Sequence, residues 1–363
     1  MTVLMKLTTG LLVMCQHSFS EDRWQTISYG THSPPSVDAA EFLVLDTGGS
    51  GGGFGHGDIR QHLHDVHFWN SKVGWAAGYG GVFKTVDGGL TWERRRNKSG
   101  WYHLEMSGPD EVWLLEGFHG KGRAKLWHTT DDGKTWEEIA PGTFKGYSDL
   151  LCRAEERWLL CGGYPSYRSR DGGETWIVEA MGGLLHASNK ISIPGDDRIA
   201  DGYAIYVLGD HNRKLRLIRS EDSGSTWKVT SLPDFPRHHA WEMFFVSSRR
   251  GWLAGPGGEI LFTDDAGNTW ERRDLPSDSD QRAKSLWFAR TGHGFASVEN
   301  RNFAKRRHTL YESSDNGRHW WPVLGGVKSV NKLFALGPGQ LWGVGTVPDY
   351  VPNDLVAILK PKR

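Results

Sequence analysis

An eight-residue phrase, Ser/Thr-x-Asp-x-Gly-x-Thr-Trp, occurs six times in this chain of 363 residues, with His in place of the Thr in the last copy. The central aspartates are Asp87, Asp131, Asp171, Asp222, Asp265 and Asp315, so successive copies lie 44, 40, 51, 43 and 50 residues apart. A period of about 40–50 residues is typical of propellers and solenoids, in which each repeat is one supersecondary unit. This recurrence constrains the fold more than any other feature.

Each copy of the phrase is predicted to form a turn between two strands. The aspartate is expected to accept hydrogen bonds from backbone N–H groups two or three residues later. The glycine two positions after it suits a positive φ angle, which a side chain would resist. The final tryptophan offers a large flat surface that can pack between neighbouring sheets. The sequence therefore predicts one such turn in every repeat.

Short apolar segments surround each phrase and predict four strands per repeat, as in a propeller blade. In the first repeat they are residues 66–69, 74–78, 82–84 and the segment that starts at Trp92. After the sixth phrase, segments 333–336, 341–345 and 355–360 supply three more strands, and residues 24–28 are predicted to supply the fourth. We therefore predict an all-β, seven-bladed β-propeller closed by N- and C-terminal strands, which leaves no exposed sheet edge at the closure. Six blades with the last segment as a side element is the alternative.

The chain is predicted to have a possible signal segment at 1–20 and a single propeller domain at 21–363, with a Gly/His-rich insertion at 46–65. The first segment has one lysine, a short apolar stretch and a small-x-small end, which favours export to the periplasm or exterior over a cytoplasmic location. The apolar stretch is too short and interrupted to predict a membrane span. Lys and Arg number 43, as do Asp and Glu, so net charge argues against a generic nucleic-acid binder.

No metal or other cofactor is expected. The histidines near the insertion, His56, His62, His64 and His67, are interpreted as loop or strand residues, with a metal site as the alternative. Cys152 and Cys161 are predicted to be free thiols, with a disulfide between them as the alternative, and no zinc spacing occurs.

The loops on one face of the predicted ring carry many basic residues. Arginine clusters suit bidentate recognition of carboxylates, and such a face would steer an acidic partner toward it. The candidate binding residues are Arg94, Arg96, Lys121, Arg123, Arg237, His238, Arg301, Arg306 and Arg307. We therefore predict a monomeric, non-catalytic scaffold that binds an acidic protein partner or an anionic glycan. Ordinary solvated loop charges are the alternative.

The repeated phrase is identified as the Asp-box, or BNR, repeat. The segment VGWAAGYGGVFKTVDGGLTW at 73–92 resembles the photosystem II assembly and stability factors of the Ycf48/HCF136 group. That resemblance implies a seven-bladed propeller that binds a newly made membrane protein through an arginine-rich surface. The insertion at 46–65 and the loops at 209–214 and 299–308 depart from the family pattern.

Two other functions remain open. Sialidases also carry Asp-boxes but need a Phe/Tyr-Arg-Ile-Pro segment, of which this chain has only Ser-Ile-Pro at 192–194. Glycoside hydrolysis requires a carboxylate pair; the sequence offers Asp149, Asp210 and Glu242 without pairing them, so no catalytic residue is assigned. A carbohydrate-binding propeller would instead stack sugars on Trp101, Trp241 or Trp321.

Overall fold

The computed structural model describes most of residues 63–346 and five further strands. Four of these strands precede residue 63, namely β1 (Thr2–Lys6), β2 (Leu12–Gln16), β3 (Trp24–Ser28) and β4 (Glu41–Asp46), and the fifth is Leu355–Lys360. Within 63–346 the description omits residues 79–80, 99, 101, 118–123, 145–148, 154–155, 161–165, 186, 195–197, 200–201, 212–213, 231, 234–241, 277–280, 301–307, 328 and 338–339.

Six four-stranded antiparallel blades follow one another along the chain, with the strands of each blade in sequence order. The first contains β5 (Leu63–Phe68), β6 (Gly74–Gly78), β7 (Gly81–Thr85) and β8 (Glu93–Arg96). The second contains β9 (Tyr102–Met106), β10 (Val112–Glu116), β11 (Lys125–Thr129) and β12 (Glu137–Ile139). The third contains β13 (Asp149–Arg153), β14 (Glu156–Leu160), β15 (Ser166–Ser169) and β16 (Ile177–Glu179).

The remaining three blades have the same construction. The fourth contains β17 (Ala187–Ser192), β20 (Ile205–His211), β21 (Lys214–Ser220) and β22 (Lys228–Thr230), with a hairpin of β18 (Arg198–Ile199) and β19 (Gly202–Tyr203) between its first two strands. The fifth contains β23 (Glu242–Phe245), β24 (Gly251–Ala254), β25 (Ile260–Thr263) and β26 (Glu271–Arg272). The sixth contains β27 (Gln281–Phe288), β28 (Gly294–Asn300), β29 (His308–Ser313) and β30 (Trp321–Val327).

The strands from the two ends of the chain meet in one five-stranded sheet, the closing sheet. It combines β31 (Ser329–Gly337), β32 (Gln340–Thr346) and β33 (Leu355–Lys360) with β4 and β3, in the order β3-β4-β33-β32-β31. The prediction of seven four-stranded blades is therefore wrong, and the alternative of six matches. Strands from the two ends of the chain pair here, but β4, which the sequence did not suggest, lies beside β33. The predicted strand, β3, pairs on the outer side of β4.

The first strand of each blade, and β31 in the closing sheet, lies nearest the axis of the ring. From β5 to β27, each of these inner strands contacts the inner strand of the next blade, and β31 contacts both β27 and β5. The second strands are buried on both faces by the neighbouring blades, as in β6, whose five residues are all buried. The glycine that opens such a strand accepts close approach by an aromatic ring: a Cβ at Gly74 would lie 2.5 Å from the Phe68 ring.

The repeated phrase forms the turn between the third and fourth strands of each blade. In the first blade, Asp87 accepts hydrogen bonds from the backbone N–H and the hydroxyl of Thr91 at 2.8 and 2.6 Å. The main partner is thus four residues later, and the backbone of Leu90, three residues later, contributes as predicted. The Thr85 hydroxyl accepts the nearer Gly89 N–H at 2.8 Å. The prediction for the glycines is confirmed, since the φ angles of the six fall between 72° and 102°.

The turns also join the blades, at a contact we call the seam. The fourth residue of the phrase presents its carbonyl oxygen to a donor from the preceding sheet. Arg168 donates to the carbonyl of Ser223 at 2.7 Å, and Arg219 donates to that of Ala266 at 3.0 Å. The other seams of this kind are Arg273 to Asn316 at 2.8 Å and the Trp342 indole to Gly88 at 3.1 Å.

The structure also bears on the predictions for the insertion, the cysteines, a metal site and a membrane span. Residues 63–65 of the predicted insertion belong to β5, and Cys152 is a free thiol, whereas Cys161 lies outside the described residues. In the described part of the chain, no group of three or more His, Cys, Asp or Glu side chains is arranged to hold a metal ion. Among the same residues, no helix has the length and apolar character needed to cross a membrane.

Candidate functional site

An axial cavity of about 680 Å³ lies between the inner strands of the ring. All six blades and the closing sheet contribute side chains to its wall. Much of the wall is apolar, with Leu104, Leu150, Ile191, Leu286 and Phe334 among its residues. It is the candidate site because the charged side chains that the inner strands carry converge on it.

Six charged residues of the wall form what we call the charged ring: Asp65, Glu105, Asp149, Lys190, Glu242 and Lys332. Each comes from a different inner strand, namely β5, β9, β13, β17, β23 and β31. The acidic arc, Asp65, Glu105 and Asp149, spans the first three blades, and the two lysines stand on either side of it. Arg290 adds a further positive charge to the wall.

Hydrogen bonds between blades fix the acidic arc in place. The Asp65 carboxylate accepts the backbone N–H of Leu104 in the second blade at 3.0 Å. Asp149 accepts the N–H of Ile191 in the fourth blade at 3.1 Å. These aspartates therefore join neighbouring inner strands in a region where no β-ladder does so.

The environment disfavours negative charge on the arc. Burial raises the pKa of Asp65 and of Asp149 above their ordinary values. Burial, reinforced by the negative charge of Asp65, raises the pKa of Glu105 well above its usual range. A carboxyl group in this position binds a proton more readily than one in water, although Lys332 and Lys190 oppose the rise in the pKa of Asp65 and Asp149.

The two lysines supply the opposing charge. Burial alone would lower the pKa of Lys332, but the carboxylates Glu242, Asp65, Asp149 and Glu105 together raise it. Burial likewise opposes the charge on Lys190, and Asp149 and Glu242 outweigh it and raise its pKa. Lys190 Nζ lies 3.7 Å from the Glu242 carboxylate. Both lysines therefore remain protonated at neutral pH.

Two histidines adjoin the acidic arc. The His67 ring is 3.7 Å from Glu105, and burial together with Lys332 lowers the pKa of this imidazole to about 4. His103 lies between two aspartates, 3.7 Å from Asp65 and 3.9 Å from Asp149. His67 is therefore neutral at neutral pH and adds no charge to the cavity.

The structure brings together two of the three carboxylates considered for glycoside hydrolysis. Asp149 and Glu242 both line the axial cavity, and both interact with Lys190. Asp210 is the second-to-last residue of β20, where it pairs with Ala187 and Leu215, and its side chain is not among those described.

Of the predicted binding residues, the structure describes only Arg94 and Arg96. Both lie in strand β8 rather than in the loop after it, because β8 pairs with β7 as far as Arg96. Arg94 is exposed, with its guanidinium carbon 5.2 Å from the centre of the Phe83 ring. Lys121, Arg123, Arg237, His238, Arg301, Arg306 and Arg307 lie outside the described residues.

Arg96 is held within the fold. Its guanidinium stacks 4.0 Å from the centre of the Trp127 ring and lies 3.6 Å from the Glu116 carboxylate. The side chain is only 11% exposed. This arginine therefore joins the first two blades and has little surface to offer a partner.

Sequence reasoning missed the charged ring. A signal was present, since six of the inner strands carry a charged residue beside buried apolar ones, as Asp65 does in β5 and Lys332 in β31. In a strand that is buried on both sides, such a residue indicates either a paired charge or a cavity. Finding the ring, however, required knowing which strand of each blade faces the axis.

Comparisons with known proteins support the fold. No protein-family model and no curated protein sequence matches this chain. A solved structure of YCF48 bound to D1 peptide is similar over 95% of this chain and 97% of that one, at 17% identity and a TM-score of 0.60. YCF48 from Cyanidioschyzon merolae covers 84% and 96%, at 17% identity and a TM-score of 0.62. Both show that this chain is a β-propeller.

A hydrolase is also among the similar structures. The GH74 xyloglucanase from Xanthomonas campestris matches 82% of this chain at 17% identity and a TM-score of 0.62. The match covers 54% of the enzyme, so this chain spans about half of its length.

Proposed function

We propose that this chain is a non-catalytic propeller that binds an acidic protein segment at the face where the loops between blades lie. The main supporting observation is that three of the four carboxylates of the axial cavity make contacts within the fold. Asp65 and Asp149 fix neighbouring strands through backbone N–H groups, and Glu242 faces Lys190. These contacts favour a structural role for the three carboxylates over a catalytic one.

The extent of the likeness to YCF48 supports a binding role. YCF48, whose structure contains a bound D1 peptide, matches nearly the whole of this chain as a propeller of similar size. The basic loops predicted from the sequence identify the face. Arg94, in β8, is the exposed one of the two predicted binding residues that the structure describes. Arg96 is removed from the binding set because it is stacked between blades. Export of the chain remains a prediction.

Binding of a fluorescein-labelled glutamate-rich peptide, followed by anisotropy at low and high salt, tests the proposal. Replacing Arg94, Arg306 and Arg307 with serine is expected to weaken binding at low salt about tenfold or more, because exposed charges steer and hold an acidic ligand. The matched control replaces Lys134, Arg170 and Arg318, which lie on the repeated turns at the opposite rim, and removes the same charge. Equal losses in both variants would contradict a basic binding face.

A glycoside hydrolase is the second candidate function. The likeness to the xyloglucanase favours it, and so does the presence of Asp149 and Glu242 in one cavity. Burial raises the pKa of Asp149, as the role of a general acid requires. Release of reducing sugar from xyloglucan or a sialoside panel, abolished by Asp149→Asn, would establish it. Binding of those glycans without cleavage would instead indicate a carbohydrate-binding propeller.

A further inference from the structure

We propose that the axial cavity binds a small zwitterion, namely an amino acid or dipeptide with an apolar side chain. The acidic arc receives the ammonium group, Lys190 and Lys332 receive the carboxylate, and the apolar wall receives the side chain. This inference stands on the cavity alone and is independent of the basic loops that carry the proposed function.

The size and lining of the cavity fit such a ligand. Its volume of about 680 Å³ lies within the range of about 300–1,000 Å³ that small-molecule pockets occupy. Phe244, Trp287 and Phe334, which line the cavity and are partly exposed, give it an apolar surface beside the charged ring. A mostly apolar pocket with a few converging polar groups is the usual form of a small-ligand site.

The acidic arc provides the ammonium end. A carboxylate offers about four lone-pair sites. Among the described donors, only the backbone N–H groups of Val66 and Leu104 donate hydrogen bonds to Asp65. Acceptor capacity therefore remains on the arc. The raised pKa values of Asp65, Glu105 and Asp149 reflect negative charge that is removed from water, and a bound ammonium group would compensate it.

The two lysines provide the carboxylate end. Lys190 Nζ is 3.7 Å from Glu242, which is an ion pair but longer than a hydrogen bond. An ammonium group has three N–H donors, so Lys190 can donate to a ligand carboxylate without leaving Glu242. Lys332 stands on the other side of the arc, and Arg290 adds positive charge to the wall. Lys284, also near Glu242, lies 3.9 Å from Glu299.

Calorimetric titration of the full chain with leucyl-leucine at neutral pH tests the site. Two blocked peptides serve as matched ligands: N-acetyl-leucyl-leucine lacks the ammonium group, and leucyl-leucine amide lacks the carboxylate. We expect the dipeptide to bind and each blocked form to bind about tenfold more weakly or worse, the usual effect of losing one charged hydrogen-bonding group.

Two substitutions assign the ends of the ligand. Glu105→Gln is expected to weaken leucyl-leucine but to leave N-acetyl-leucyl-leucine unchanged, because the blocked ligand has no ammonium group to lose. Lys190→Met is expected to weaken leucyl-leucine but not its amide. Lys228→Met, which removes an exposed lysine on β22, is the control and should change neither. Thermal melting of each variant reports whether it folds.

Absence of binding at millimolar dipeptide would overturn the inference, and so would equal binding of the free and blocked peptides. The second result needs only the unmodified chain, so it decides the matter even if a variant fails to fold. The variant at Arg94, Arg306 and Arg307 should bind leucyl-leucine normally. Failure of the acidic-partner proposal and failure of the zwitterion site are therefore separate outcomes.

Discussion

Replacing Lys332 with methionine tests whether the charged ring is held together by charge. Methionine keeps much of the length and apolar character of the lysine stem but removes the ammonium group. Four carboxylates interact with that group in the folded chain, and they hold its pKa above the ordinary value. Removing one partner from a buried ion pair costs about 3–5 kcal/mol. We expect about 3 kcal/mol here, because Lys332 is only partly buried.

The loss should depend on pH in a defined direction. Burial already raises the pKa values of Asp65, Glu105 and Asp149, and loss of Lys332 would raise them further. A carboxyl group whose folded pKa exceeds its unfolded pKa destabilises the fold at neutral pH and ceases to do so once protonated. The loss should therefore shrink on acidification, by about 1.4 kcal/mol for each pKa unit of additional rise.

Urea denaturation followed by tryptophan fluorescence, at neutral pH and at pH about 5, measures both quantities. Lys228→Met is the control: its ammonium is 73% exposed and 3.8 Å from Glu221, and exposed pairs of this kind contribute little. A loss for Lys332→Met that is the same at both pH values would refute the electrostatic reasoning and indicate lost packing instead.

Two further predictions concern the turns and the cavity. Gly133→Ala should lower the free energy of unfolding by about 2–3 kcal/mol, because its Cβ would lie 2.9 Å from the Trp75 ring at a φ of 72°. Gly183→Ala, at a φ of 68° with no atom within 4 Å of the new Cβ, should cost only about 1 kcal/mol, and equal losses in chemical denaturation would argue against the clash. In an NMR titration, the His67 imidazole should remain neutral until pH falls to about 4; a midpoint near 6.5 would show that it is not buried.

The local part of the fold could be predicted from the sequence because the turn is specified within eight residues. The aspartate, the glycine and the hydroxyl residue that close it are all present in the phrase, as Thr85, Asp87 and Gly89 show in the first blade. The pairing of the strands at the two ends of the chain was harder to predict. That β4, rather than Trp24–Ser28, pairs with β33 depends on contacts between residues more than three hundred positions apart.

Most of the charged ring could not be predicted from the sequence, for a similar reason. Asp65 and Lys332 act on each other only because the ring closes, and neither stands in a motif. Arg96 is the opposite case, a residue that the sequence suggested for binding and that the structure packs between two blades. A basic residue between two repeats reads as a solvated loop charge, but β8 extends to it and the Trp127 ring covers it. The length of β8 and the position of Trp127 in the next blade therefore determine where the Arg96 side chain lies.

The seams tolerate sequence change on one of their two sides. Arg168, Arg219 and Arg273 each donate to a backbone carbonyl of the next turn, and every residue type has that carbonyl. The side chain at this position is accordingly serine, alanine or asparagine without loss of the bond. Only the arginine of the preceding blade has to be kept for the bond to form. The acceptor position of these three turns can therefore diversify in sequence while the joints between the blades stay intact.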